Sequence, residues 1–197
     1  NSNAGAAWVY ATDKQKIISV LDIPYDQGGN VRIRWNKFVF DGAGISQQII
    51  SYGIWRKIRP GMSAAAYKRW ELPRELSMLS DSLSQYDYLM SVPAVQIPSY
   101  NVVVPTVEDS SASGIPYFEY IITGHTADVS IYYVSDPDSG YSVDNLAPIS
   151  PAGLMATVQA GPQVELTWDS PSDPDVKSYV VYRSTTSGFT PAPGNTI

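Results

Sequence analysis

Two patterns occur twice in this 197-residue chain, in the same order and at nearly the same spacing. Val31-Arg-Ile-Arg-Trp35 returns as Val164-Glu-Leu-Thr-Trp168, and Tyr52-Gly-Ile-Trp-Arg56 returns as Tyr179-Val-Val-Tyr-Arg183. The first pair lies 133 residues apart and the second 127. Every copy alternates apolar and polar side chains, the period-two signature of a half-buried strand. Each half also opens with a Pro-flanked apolar segment, Val20-Leu-Asp-Ile-Pro24 in the first and Pro151-Ala-Gly-Leu154 in the second. The chain is therefore expected to be all-β, with one unit and at least part of a second copy of it.

Composition removes several alternatives. With no cysteine there is no disulfide framework, thiol nucleophile or cysteine-ligated zinc module, and a single histidine allows no two-histidine metal site. No G-x-G-x-x-G or Walker-type loop occurs, so no nucleotide cofactor is implied. No apolar run is long enough to span a membrane. The chain starts at Asn1 without methionine or leader, which reads as a processed or engineered product from which any export signal has gone. Residues 1–74 carry 11 Lys/Arg against 5 Asp/Glu, and residues 75–197 carry 2 against 14. Arg32 and Arg34 alternate with Val31, Ile33 and Trp35, which puts them on a solvated strand face. Nucleic acid is not an expected partner of a chain with pI near 4.6. Head-to-tail attraction between copies stays open.

A leading strand, then V-x-φ-x-W, then Y-x-φ-aromatic-R resembles the A, B and C strands of fibronectin type III modules. The resemblance implies that Trp35 with Tyr52, and Trp168 with Tyr179, are central core residues. Later strands of the first copy are similar to those of the family: Tyr100–Pro105 to strand E, Phe118–Gly124 to strand F and Ile131–Val134 to strand G. Phe118 stands where the family usually begins strand F with Tyr, so a tyrosine corner would lose its hydroxyl bond. Asp22-Ile-Pro-Tyr-Asp-Gln-Gly-Gly29 and Ser139-Gly-Tyr-Ser-Val-Asp-Asn-Leu-Ala-Pro148 resemble stretches of large secreted bacterial proteins built from such modules. There the second stretch closes one module and leads into the next.

These expectations divide the chain into an N-terminal extension (1–16), a module with an insertion (17–147) and the first half of another (148–197). The fold class is then tandem immunoglobulin-like (fibronectin type III) β-sandwiches, the first with a partly helical insertion and the second incomplete. A sandwich of this class needs about 100 residues, and 17–147 is longer. The excess lies at about 59–85, where Leu72, Leu76, Leu79 and Leu83 form one stripe of a short helix with Pro73 in its first turn. The helix either caps the sandwich or carries function, with Trp70 as its exposed aromatic. Residues 148–197 supply strands A, B, C and at most C′. Val164, Leu166, Trp168, Tyr179 and Val181 are left with too little opposite them, beside an open sheet edge. Either the parent chain continues, or neighbouring copies complete the module by β-strand addition. Ala7-Trp8-Val-Tyr10-Ala11 is the natural donor in that case.

His125, the only imidazole, is expected on the surface after strand F, with Asp128 three residues on. No G-x-S-x-G elbow accompanies it. Asp136, Asp138 and Asp144 gather oxygen donors near the module junction and are candidate calcium ligands, although their spacing departs from the D-x-[DN]-x-[DN]-G loop. Asp, Ser, Pro and Gly are also ordinary turn formers. No catalytic or cofactor-binding residue is expected. Trp70, Trp8 and Tyr10 are the candidate partner or glycan contacts. Three functions follow. The first is a non-catalytic structural or adhesive spacer of a larger exported bacterial protein, secreted or on the cell surface. The second is an extracellular fibre subunit completed by strand donation. The third is an accessory carbohydrate-binding module of a secreted glycan-active enzyme.

Overall fold

The computed structural model describes residues 15–61, Pro73, Leu76, 82–173 and 176–197. Among them the regular structure is β throughout, apart from isolated 3-10 turns, and the chain divides into two compact units, Asn1–Leu146 and Ala147–Ile197.

Two antiparallel sheets build the first unit. One has the order β1 (Ile17–Asp22), β2 (Asn30–Asn36), β5 (Ser99–Pro105). The other runs β4 (Tyr86–Pro93), β3 (Ile49–Lys57), β6 (Phe118–Thr126), β7 (Tyr132–Val134), with β8 (Asp138–Gly140) also against β6. Both sheets contribute to a single core. Val31, Ile33 and Trp35 of β2 and Tyr100 and Val104 of β5 meet Tyr52 and Ile54 of β3 and Phe118, Tyr120 and Ile122 of β6. Alternation decides which side chains enter it: Val31, Ile33 and Trp35 are fully buried, while Arg32 and Arg34 between them are exposed. Trp35 stacks on Tyr100 at 5.5 Å and meets the edge of Tyr52 at 5.6 Å. Such pairs add ~0.5–1.5 kcal/mol each beyond the area they bury.

The larger sheet is buried on its outer side too. Trp55, Tyr88 and Ile121 form a second apolar cluster with Leu76 and Leu83, two members of the leucine stripe. The inserted segment therefore covers the outer face of the sheet through at least these two leucines. This explains why β3 and β6 are buried almost continuously rather than alternately. Leu83 stands in a turn (82–85), and Leu72, Leu79 and Trp70 lie outside the described residues.

The second unit is a two-stranded antiparallel sheet, β9 (Ala152–Val158) with β10 (Val164–Asp169), followed by a short bridge between Tyr182 and Thr196. None of its described residues is buried.

Candidate functional site

Where the first unit ends, its two flanking segments are fastened together. Asp22 closes β1, and both oxygens of its carboxylate are occupied by the segment that leaves the module. Val143 N donates to Oδ1 at 2.8 Å and Asn145 Nδ2 to Oδ2 at 2.7 Å. The turn after β1 adds to this, because Asp26 N donates to Asn145 Oδ1 at 3.1 Å and Asn145 N to the Asp26 carbonyl at 3.3 Å. That turn passes through Tyr25, Gly28 and Gly29, all at positive φ. Gly29 N donates to Asp109 Oδ1 at 2.6 Å, and the Ser142 hydroxyl bonds the same carboxylate. The two stretches singled out in the sequence, 22–29 and 139–148, thus close on one another across some 120 residues of chain.

Gly28 is required here for two reasons. Its φ of +71° favours glycine, and a Cβ would stand 2.5 to 2.7 Å from the Asp109 carboxylate. Gly28→Ala should therefore cost ~1–3 kcal/mol, as for other strained backbone positions, read as a lowered urea midpoint. Gly44, also at positive φ but in open space, should tolerate the change with the smaller, purely conformational loss.

The candidate calcium ligands are placed separately along this exit segment. Asp136 donates its backbone N–H to the Gln15 carbonyl at 2.8 Å. Asp138 pairs with Tyr120 in β8, and its Oδ1 accepts from Ser139 N. Asp144 bridges to Gln27. Among the described residues no three His, Cys, Asp or Glu side chains are grouped to hold a metal ion. Trp8, Tyr10 and Trp70 lie outside the described residues.

Three buried polar groups escaped the sequence reading. Asp41, in the β2–β3 loop, is fully buried, and its Oδ2 accepts the hydroxyls of Tyr52 at 2.9 Å and Tyr100 at 2.6 Å. Burial first, and then the bond to Asp41, push both tyrosine pKa values up. Arg56 points into the sandwich, where Nη2 meets Asp87 Oδ2 at 3.0 Å and Nη1 donates to the Pro105 carbonyl at 2.7 Å. The third group lies on the outer face, where Trp55 Nε1 donates to Thr123 Oγ1 at 2.8 Å and that hydroxyl bonds His125 Nε2 at 2.7 Å.

His125 is consequently not the surface residue expected after strand F. Strand β6 runs on to Thr126 and pairs His125 with both Ser51 and Tyr132, which buries the ring. Asp128 turns to Ser130 instead, whose N–H and hydroxyl both donate to its carboxylate. Desolvation lowers the His125 pKa from 6.5 to about 4. Between those values the unfolded chain binds the proton and the folded chain does not. His125 therefore makes no demand on stability above pH 6.5, and stability falls as the pH drops toward 4, by up to ~3 kcal/mol. Chemical denaturation of the wild-type chain and His125→Gln from pH 7.5 to 4 checks this, the wild type losing more. NMR titration should show a neutral ring at pH 5.5.

The second unit presents an uncovered apolar face. Val164, Leu166 and Trp168 of β10 share one side with Val158 and Ala156, which lie opposite Val164 and Leu166. Trp168 meets Tyr179 edge-on at 5.2 Å. Val164 is 58% exposed and Tyr179 40%, whereas Val31 and Tyr52, at the same places in the repeated patterns, are at 0%. Arg183 is exposed, while its counterpart Arg56 is buried and paired.

No protein-family model matches the chain, and no curated sequence matches it significantly. Among the described residues no helix is long and apolar enough to cross a membrane.

Proposed function

We propose that the chain is a non-catalytic structural or adhesive spacer of a larger exported bacterial protein, made of fibronectin type III-like sandwiches, and acts outside the cell. The sheet order of the first unit supports the module type. Its fourth strand, β4, pairs with β3 rather than with β5. That differs from the constant immunoglobulin arrangement, in which the fourth strand joins the sheet of the first, second and fifth. The observation that carries the spacer reading is the contrast between equivalent residues. The V-x-φ-x-W side chains are sealed in the first unit and open in the second. An isolated two-stranded sheet is marginal in water, and covering Val164, Leu166, Trp168 and Tyr179 would contribute roughly 1.5–3 kcal/mol for each side chain fully buried. The second unit is then one link of a module series, with its opposing sheet supplied from further strands.

Isolation of the protein from its natural source, with peptide mapping of cell fractions, tests this. The expected result is an extracellular polypeptide with peptides beyond Ile197. A mature chain ending at Ile197, or one held in the cytosol, would overturn it.

The same exposed face favours a second reading, a fibre subunit in which residues 1–16 of a neighbouring copy complete the second unit. Deleting residues 1–16 should then abolish assembly, and unchanged polymerisation refutes strand donation.

A further inference from the structure

We propose that copies of this chain associate head to tail, the outer side of the three-stranded sheet in one copy lying against the outer side of the β9–β10 sheet in another. The two sides occupy the same place in the repeated pattern and carry opposite charge. In the first unit Arg32, Arg34 and Asn36 alternate outward from β2, and in the second Glu165, Thr167 and Asp169 do so from β10. One strand therefore presents two cations where its counterpart presents two carboxylates. All six side chains are exposed.

Neither set is neutralised within its own sheet. Among the described residues Arg32 and Arg34 make no ion pair. The one acid in β1, β2 and β5 is Asp22, whose carboxylate is held by Val143 and Asn145. Strands β9 and β10 contain no Lys or Arg, and Glu165 is met by the neutral amide of Gln159 at 2.6 Å. The neighbours suit a second protein surface. Arg32 lies between Leu21 and Val103 in the ladder, both exposed, and Arg34 lies between Ser19 and Asn101. On the other sheet Thr167 lies opposite Met155, which is exposed too. The arginines stand ~7 Å apart along their strand and the carboxylates ~13 Å, a difference that the long guanidinium arms can span. Two arginines on a flat sheet are too few for nucleic acid, whose binding grows with each phosphate neutralised.

The smaller sheet covers roughly 15 Å by 20 Å, well below the ~800 Å² per partner of a stable complex. The pairing is therefore weak, with a dissociation constant on the order of millimolar at low salt. Because the two faces differ, the contact is heterologous and can add copies in a row.

NMR on isotope-labelled chain titrated with unlabelled chain tests the pairing. At about 20 mM salt the amide signals of Leu21, Arg32, Arg34 and Val103 should move with concentration, together with those of Glu165–Asp169. At about 300 mM salt the screening length drops from ~20 Å to ~6 Å, and the affinity should fall on the order of tenfold. Arg32→Glu with Arg34→Thr gives the first unit the side chains of the second, and Glu165→Arg with Thr167→Arg does the reverse. These positions are exposed, so both variants should keep the wild-type core signals at Val31, Ile33 and Trp35. Each alone should lose the concentration dependence. An equal mixture should regain it, because the unaltered arginines of one variant then meet the unaltered acids of the other. No concentration-dependent movement in the wild type overturns the pairing, as does movement that either variant retains alone or that the mixture fails to restore. Movement centred on Val164, Leu166 and Trp168 that strengthens with salt would show apolar contact instead, and overturns it too. Removing residues 1–16 should leave the pairing unchanged, and its loss would assign the association to strand donation. None of these outcomes bears on the spacer reading.

Discussion

Asp87→Ala should cost the first unit ~3–5 kcal/mol, the range for breaking a buried ion pair by removing one partner. The Arg56 side chain is 2% exposed and that of Asp87 5%. Deleting the carboxylate breaks the pair while the guanidinium stays inside the sandwich, with the Pro105 carbonyl still bound to it. Domains are stable by only about 5–15 kcal/mol, so this single change brings the unit close to unfolding. The pair itself is worth much less than the cost of breaking it, because both ions were desolvated on folding. Arg56→Met combined with Asp87→Leu should accordingly regain most of the loss. Urea denaturation of the two variants and the wild type checks this, and a loss below about 1 kcal/mol for Asp87→Ala would mean that water reaches the guanidinium. Arg59–Glu108, with both side chains at least 40% exposed, should give less than ~1 kcal/mol when broken, despite its short 2.6 Å contact.

Trp35→Ala should cost a similar ~3–5 kcal/mol, the usual price of emptying a core aromatic site. Trp168→Ala, the same substitution in the repeated pattern, should cost under about 1 kcal/mol. Trp35 is fully enclosed between Tyr52 and Tyr100, while Trp168 is half-buried with Tyr179 as its aromatic neighbour. Denaturation followed separately through the two units distinguishes them. Equal losses would contradict the different environments assigned to the two tryptophans.

Local alternation carried much of the fold into view. Val31–Trp35, Tyr100–Pro105 and Phe118–Gly124 all lie in strands; the first two have one sealed and one open face, while Phe118–Gly124 is buried on both. Strand β4 escaped because a register shift near Leu89 breaks its alternation: Ile54 faces Met90 and Trp55 faces Tyr88. The last strand escaped in part, since it is interrupted around Pro137 and resumes as β8. His125 was misplaced because a residue that follows a glycine and precedes Thr-Ala-Asp looks like the start of a loop. Asp41 sits in a Phe-Asp-Gly-Ala-Gly stretch that reads as a turn, and its partners are 11 and 59 residues away. The fastening of the 22–29 stretch to the exit segment shows the same limit. Both of its stretches were conspicuous in the sequence, but no local signal pairs Asp22 with Asn145.

Amide hydrogen exchange on β10 tests the central claim most directly, measured in this chain and in the protein purified from its natural source. The account predicts fast exchange at Val164–Trp168 in the 197-residue chain, beside strong protection at Val31–Trp35, and protection at both places in the natural protein once the opposing sheet is present. Protection of Val164–Trp168 in the isolated chain, or fast exchange there in the natural protein as well, would contradict it.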